Sequence, residues 1–393
     1  MVNFAFSGGE GLIMQPRKLV SWLRLAAKPR AARKPRRHFA AALLCACAVM
    51  LLLGRSATAS AWDDLVSAAN AEGEVDVHGG PGKLYAEVLT EGFQRAYPQI
   101  KINFTGLSGR DAIPKILRER EAGIYAWDVY VGGTPSILQA LMPAGAFVPL
   151  RPALLLPEVL DDKAWYGGLD GAWMDKGKTY VLAFEATVQA AMTVNWDFVA
   201  HEDLKTYQDL LKAQFADKIV WDDPRLPGQG VASAQTFLIN FGPEFLTKLY
   251  RQKITYTSNP RQNAEWVVRG RYPIGIATAV EEIDPFREQG LGKNIAIFDA
   301  PLQRPTVGPG FGTVSLMDRA PHPNAAKLYI NWLLSRAGQT DWGKTGHNSR
   351  RLDVPHAAPE MFPKPGVAYD DDQNEENIPT REQAAALAKQ YIQ

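Results

Sequence analysis

GRYPIGIATAVEEIDPF, residues 270–286, sets a short apolar run against a cluster of charge. Pro273 to Ala279 has no helical period and lies between Arg271 and the pair Glu281-Glu282, so it reads as a buried strand. Its exit delivers Thr278 and then the two glutamates. In open α/β sheets the carboxyl end of a strand is where ligands bind, so this run suggests both a fold class and a place for a site. The glutamates read as a helix start or as solvated side chains.

The flanking segments supply the alternation that such a sheet needs. EVDVHGG (74–80) alternates like a strand, and KLYAEVLTEGFQRAYP (83–98) puts Leu84, Val88, Leu89, Phe93 and Tyr97 on one helical face before Pro98. IKINFTGL (100–107) is a strand, SGRDAIPKILREREAG (108–123) a loop entering a helix, and WDVYVGG (127–133) a strand with a turn. TPSILQALMPAG (134–145) then reads as a helix with Pro135 near its first position. Downstream come a long strand, TYVLAFEATVQAAMTVN (179–195), a helix, EDLKTYQDLLKA (202–213), and a strand, KIVWDD (218–223). The Gly-rich TVGPGFGTVSLMD (306–318) turns into a strand, and APHPNAAKLYINWLLSRAGQTDWGKTG (320–346) is helical. YDDDQNEEN (369–377) reads as a solvated loop, and a Thr380…Gln383 capping box opens the last helix. Alternation at this spacing predicts an α/β fold with parallel, doubly wound sheets.

The first 61 residues differ from the rest. A basic run, RKPRRHF, leads into the 14-residue apolar AAALLCACAVMLLL and then the small residues of GRSATASAW, the plan of a signal peptide. That run is shorter than the roughly 20 residues of a membrane span. Cleavage is expected near residues 59–61. Arg36-Arg37 resembles the twin-arginine signal, with Pro35 in place of its usual hydroxyl residue, and Met14 offers a second start. Removing residues 1–61 takes ten of the 43 basic groups and one of the 42 acidic ones, leaving 33 against 41. No basic stripe for nucleic acid remains. Cys45 and Cys47 leave with the leader, which excludes disulfides and thiol chemistry from the exported chain.

AEGEVDVHGG, GLSGRDAIPKILREREAG, WDVYVGG, WDDPRLPGQG, GRYPIGI and APHPNAAKLYINWLLSRAGQ, in this order, resemble a bacterial extracellular solute-binding protein of an ABC importer. The branch is the one that includes ferric-iron, thiamine and phosphonate binding proteins. The resemblance implies a two-lobed periplasmic-binding-protein fold of type II: lobe 1 over 62–185, lobe 2 over 186–305, and a return to lobe 1 over 306–393 with the C-terminal helices. YVLAFEATVQAAMTVN and VGPGFGTVSLM would be the crossing strands. It further implies a periplasmic monomer without cofactor that binds one small solute and presents it to an inner-membrane ABC permease.

Candidate ligand contacts follow the strand ends. His78 and Gly80 end the first strand; a histidine near this point can be a ligand in the ferric branch, or else a hydrogen-bonded core residue. Ser108, Gly109 and Arg110 open a helix whose N–H groups would attract an anion. Gly133 and Thr134 follow another strand, where backbone can approach a ligand closely. Glu185 sits in an apolar run with Thr187 and needs a partner, either a ligand cation or a lysine or arginine of the protein. Arg225, Ser258 and Asn259 mark further helix starts, Asn259 also as an ordinary cap, and Thr278 ends the opening strand. Trp127, Trp173 and Trp221 read as stacking or core residues. In the ferric branch two adjacent tyrosines follow this strand, and here the positions hold Thr278-Ala279-Val280. An organic or phosphorylated anion is therefore favoured over bare ferric ion, with chelated iron as the alternative. The five histidines after the leader show no metal spacing, and His322, between two prolines, reads as a surface residue. No G-x-S-x-G, H-E-x-x-H or strand-linked G-x-G-x-x-G is present, so an enzyme is not expected; a sensor subunit stays open as the other class.

Overall fold

Val75 and Val77 of the first strand are fully buried, and a parallel sheet grows around them. The computed structural model describes residues 61–392; the expected leader otherwise falls outside them. Strand β1 (Glu74–Gly79) pairs in parallel with β2 (Lys101–Gly106) along its whole length and with β3 (Val129–Gly132) at Val77 and His78. The order of this first sheet is β2-β1-β3-β12-β4, with β12 (Thr313–Leu316) antiparallel to β3 and β4 (Leu182–Ala183) at its edge. Lys83–Ala96 is the expected amphipathic helix, burying Val88, Leu89 and Phe93, although Leu84, expected on that face, is exposed in its first turn; Pro323–Leu334 packs into the same core.

The opening run lies in the middle of a second sheet, ordered β10-β6-β9-β7-β8. Here β9 (Ile274–Ile276) is parallel to β7 (Ile219–Asp222) and antiparallel to β6 (Met192–Asn195). The outer strands are β8 (Ile254–Thr257) and β10 (Ile295–Ile297). Both large sheets are thus mixed rather than purely parallel, because chain crossing from one to the other arrives running the opposite way. At the exit of β9, Ala277 takes φ 56° and turns the chain. Val280–Glu282 then forms one 3₁₀ turn ahead of a helix over Asp284–Glu288, and Glu282 pairs with Arg261 at 3.5 Å.

The single long strand expected over 179–195 is three short ones. β4 belongs to the first sheet, β6 to the second, and β5 (Thr187–Val188) to a third, ordered β13-β11-β5. In this small sheet β11 (Thr306–Gly308) pairs antiparallel with β5 and parallel with β13 (Asp370–Asp371). Within the acidic run read as a solvated loop, Asp370–Asp371 is therefore a strand, Asp372 after it is fully buried, and Glu375–Asn377 is a 3₁₀ turn.

Three helical expectations change as well. EDLKTYQDLLKA gives 3₁₀ turns at Tyr207–Leu211 and Ala213–Phe215, because the Asp209 carboxylate folds back onto the N–H groups of Lys205 and Thr206, both at 2.9 Å. After Thr134–Ser136, the segment Ile137–Leu141 winds as a π-helix. The Thr380 capping box is not built, since the last helix, Ile378–Tyr391, starts two residues earlier, behind a turn capped by Asn374. That helix places Ala384, Ala388 and Ile392 in the second core, beside Trp221 and Phe237 of the sheet and the Gln229–Tyr250 helix. The chain after residue 306 thus serves both cores.

Candidate ligand-binding cleft

The carboxyl ends of β1, β2 and β3 are all glycine: Gly79, Gly106 and Gly132. Register places Gly79 opposite Gly106 and Gly132 opposite Thr313, so the loops that follow form one edge. A Cβ on Gly133 would lie 3.2 Å from the Gly310 carbonyl, and one on Gly80 3.3 Å from the Tyr85 ring. Thr134 is fully buried and donates to Gln373 Oε1 at 3.0 Å. Ser108 Oγ donates to Asp111 at 2.6 Å, while Arg110 is exposed at the start of the Gly109–Glu121 helix, and no hydrogen bond or ion pair among the described residues holds it. His78 is placed elsewhere. Its ring stacks on Tyr130 at 4.2 Å and sits 3.1 Å from the Val131 carbonyl, and burial lowers its pKa to about 4. It is a neutral core histidine.

Glu185 is 1 % exposed. Its Oε1 accepts from Thr187 Oγ1 at 3.0 Å and lies 3.2 Å from His347 Nδ1; His347 Nε2 is 3.0 Å from the Tyr85 hydroxyl. The partner expected to be lysine, arginine or ligand is thus a histidine in the first place, and Oε2 has no hydrogen-bond partner among the described residues. The carboxylate fits only because the GPGFG turn leaves room. A Cβ on Gly310, itself at φ 52°, would lie 2.7 Å from Glu185 Oε1, and one on Gly312 2.3 Å from Glu185 Cβ.

The candidates at the second sheet are engaged within the protein. Arg225 forks onto Asp223 (Nε–Oδ1 2.9 Å, Nη2–Oδ2 2.8 Å). Burial raises the Asp223 pKa, but the fork outweighs it and the net shift is downward. Asp222 Oδ2 accepts from Gly230 N at 2.9 Å, so a carboxylate of the chain already occupies that helix start. Asn259 is the cap of Pro260–Val268, accepting from Gln262 N, with Ser258 exposed beside it. Thr278 turns inward and donates to Asn263 Oδ1 at 2.7 Å. Trp127, Trp173 and Trp221 are buried core residues.

Two cores joined by crossing strands, with glycine-ended strands facing the junction, is an arrangement found among known proteins. Residues 89–358 match the family described as bacterial extracellular solute-binding protein. The chain belongs to that family. An uncharacterized protein of Haemophilus influenzae is 23% identical over 292 residues, covering 72% of this chain and 79% of that one. Among solved structures, the apo ferric ion-binding protein A of Pasteurella haemolytica superposes with a TM-score of 0.63 at 15% identity, covering 81% of this chain and 98% of that one. Iron-bound HitA of Pseudomonas aeruginosa gives 0.58 at 16%, covering 81% and 99%. Actinobacillus pleuropneumoniae AfuA, with fructose-6-phosphate bound, gives 0.56 at 18%, covering 81% and 97%. The fold is that of the two-lobed type II periplasmic binding proteins. Members of the family bind small solutes outside the cytoplasm and work with ABC permeases.

Sequence reading missed several residues that this solute-binding protein places at the junction. Tyr85 looked like one more position on a helix, and nothing in the sequence marked His347. Asp372 backs onto the crossing strand: a Cβ on Gly308 would lie 2.6 Å from Asp372 Oδ1, 2.8 Å from Gln189 Nε2 and 3.0 Å from Gln373 Nε2. Burial raises the Asp372 pKa to about 7, Arg381 opposing the shift and Asp371 adding to it. At the amino end of the first sheet, His322 is not a free surface residue. It lies 2.8 Å from Asp128, 3.5 Å from Asp76 and 3.6 Å from Glu74. Burial works to lower its pKa, and these carboxylates reverse the sign and raise it. The cluster is an anchor for the following helix, since Asp128 Oδ1 also accepts from His322 N at 2.7 Å.

Proposed function

We propose that this solute-binding protein captures one small organic or phosphorylated anion between its lobes and presents it to an inner-membrane permease, as a monomer and without chemistry or a cofactor. It would be exported by its basic-apolar leader and cleaved near residues 59–61. Residues 62–185 and 186–305 would form the lobes, and the chain from 306 would return to the first before its last helix. The observation that carries the anion is Arg110, exposed and unengaged at the start of a 13-residue helix, beside the backbone of Ser108 and Gly109. Helix-start N–H groups and a guanidinium are a standing receptor for phosphate or carboxylate. Gly80, Gly133 and Thr134 line the same edge.

A second reading, chelated iron, has its own observation: Tyr85, His347 and Glu185 form a hydrogen-bonded series of phenol, imidazole and carboxylate. The two are separated by a melting-temperature screen over phosphonates, sugar phosphates, carboxylates, thiamine, polyamines and ferric citrate. Binding raises the melting temperature by mass action. The expected result is a shift with an anion and a loss of roughly 10- to 100-fold in affinity for Arg110→Ala, the worth of one charge-assisted bond. A visible absorption band with ferric citrate, lost in Tyr85→Phe, would favour the iron reading. No shift with any solute, together with hydrolysis of a chromogenic ester, would end both.

A further inference from the structure

We propose that the floor of the cleft recognises a cationic group on the solute, an ammonium or a group of like charge and hydrogen-bonding power, through the carboxylates of Asp372 and Glu185. The proposal rests on the binding-protein reading above and adds a substrate class to it: a solute with a positive group as well as its anionic one.

The two carboxylates flank one strap. Glu185, Thr187 and Gln189 fall at alternate positions along the chain that crosses between the sheets, which puts their side chains on one side of it. Thr187 pairs with Gly308, and on the other edge of that strand Asp372 N donates to the Val307 carbonyl at 3.0 Å. Bare glycine backbone at 308 and 310 is what lets Asp372 and Glu185 lie against the strap.

Both acids are almost wholly buried, and both keep oxygens without a partner: Oε2 of Glu185, and Oδ1 and Oδ2 of Asp372. Such a group is costly unless something donates to it. The nearby guanidinium groups make their hydrogen bonds elsewhere, although the charge of Arg381 acts on Asp372. Arg381 is spent on the Gly228 carbonyl (3.0 Å) and Gln235 Oε1 (3.2 Å), and Arg350 on the Tyr166 and Gly171 carbonyls and Asp371. His347 Nδ1 lies 3.2 Å from the other oxygen of Glu185. Gln189, Gln373, Thr134 and Thr187 around the strap are neutral groups that can accept from an ammonium as well as donate. Two acids with spare lone pairs, ringed by amides and hydroxyls, make a receptor for a multiply donating cation.

The test does not require knowing the solute. The purified protein, exhaustively dialysed, is incubated with a small-molecule extract of bacterial cells and washed, and the retained compound is released and identified by mass spectrometry. Metal content is read in parallel. We expect the retained compound to carry a protonated amine or equivalent cation. Its affinity should fall at least tenfold in Asp372→Asn and in Glu185→Gln, and the wild type should discriminate against its deaminated analogue while Asp372→Asn does not. A melting curve shows that each variant folds, and Asp372→Asn keeps the shape of the protonated acid. A retained compound without positive charge, an Asp372→Asn protein of unchanged affinity, or a bare metal ion as the bound species would each overturn the proposal while leaving the binding-protein reading intact. Retention of nothing at all would instead remove the binding-protein reading and the proposal with it.

Discussion

Gly312 has its reason in Glu185. Any side chain there meets the Glu185 Cβ at 2.3 Å, a contact that must be relieved by moving a buried carboxylate or the crossing strand. Gly312→Ala is expected to cost about 1–3 kcal/mol, the range for overpacking, read as a shift in the urea midpoint with unchanged slope; an unshifted midpoint would mean that the turn yields freely. Asp372 has the opposite standing, since it is a fully buried acid whose carboxylate oxygens have no hydrogen-bond partner among the described residues. Its folded pKa of about 7 lies above the ordinary 3.8, so the folded state holds the proton more tightly than the unfolded one. Stability is undiminished while both states are protonated, below about 3.8, and falls as pH rises from there toward 7. Asp372→Asn should therefore melt higher than wild type at pH 8, by on the order of 1–4 kcal/mol in stability, with the gap closing at pH 4. A gap constant across that window would assign the effect to packing instead of charge.

The Pro323–Leu334 helix illustrates how an element is fixed by groups far from it in sequence. Glu72 accepts from the backbone of Asn324 and Ala325, and Asp128 accepts from that of His322, so two carboxylates from the first sheet's region hold one helix start. The imidazole adds a titratable part. Because the His322 pKa is raised above its ordinary 6.5, its contribution is fully present below about 6.5 and is lost as pH rises through the folded value. His322→Ala should thus melt lower than wild type at pH 5.5 and approach it at pH 8.5; a gap that widens with pH would refute the assignment. At this scale the strands and helices with a clean period were legible: EVDVHG, the Val88–Leu89–Phe93 face, and the run at 274–276 all form as their patterns require. What was not legible depended on partners. The 179–195 run looks continuous because each piece is apolar, yet it is divided among three sheets whose other strands come from elsewhere. YDDDQNEEN looks solvated by composition, and β11, some 60 residues earlier, makes a strand of its Asp370 and Asp371. In the site, glycines and Thr134 were marked by strand ends, whereas His347 and Asp372 reach the junction from segments that carry no motif.

Across the whole molecule, the two cores are linked by β5 and β11, strands of two and three residues, so the closure that the proposed capture of a solute requires would be confined to a few dihedral angles. The last helix ties this linkage to the second core. It buries Ala384, Ala388 and Ile392 there, and its Arg381 reaches Gln235 and the Gly228 carbonyl, while Gln235 also donates to the Asp372 carbonyl at 2.8 Å. One helix therefore covers the core around Trp221 and Phe237 and steadies the segment 370–373 that carries Asp372. Removing residues 378–393 should have two separable effects. Uncovering the apolar face should cost more than about 3 kcal/mol and increase binding of a hydrophobic dye. Freeing the 370–373 segment should abolish the solute-induced rise in melting temperature even at temperatures where the shortened protein remains folded by circular dichroism. If the shortened protein loses stability but still responds to solute as the full chain does, the helix serves the core alone and the coupling through Gln235 and Arg381 is absent.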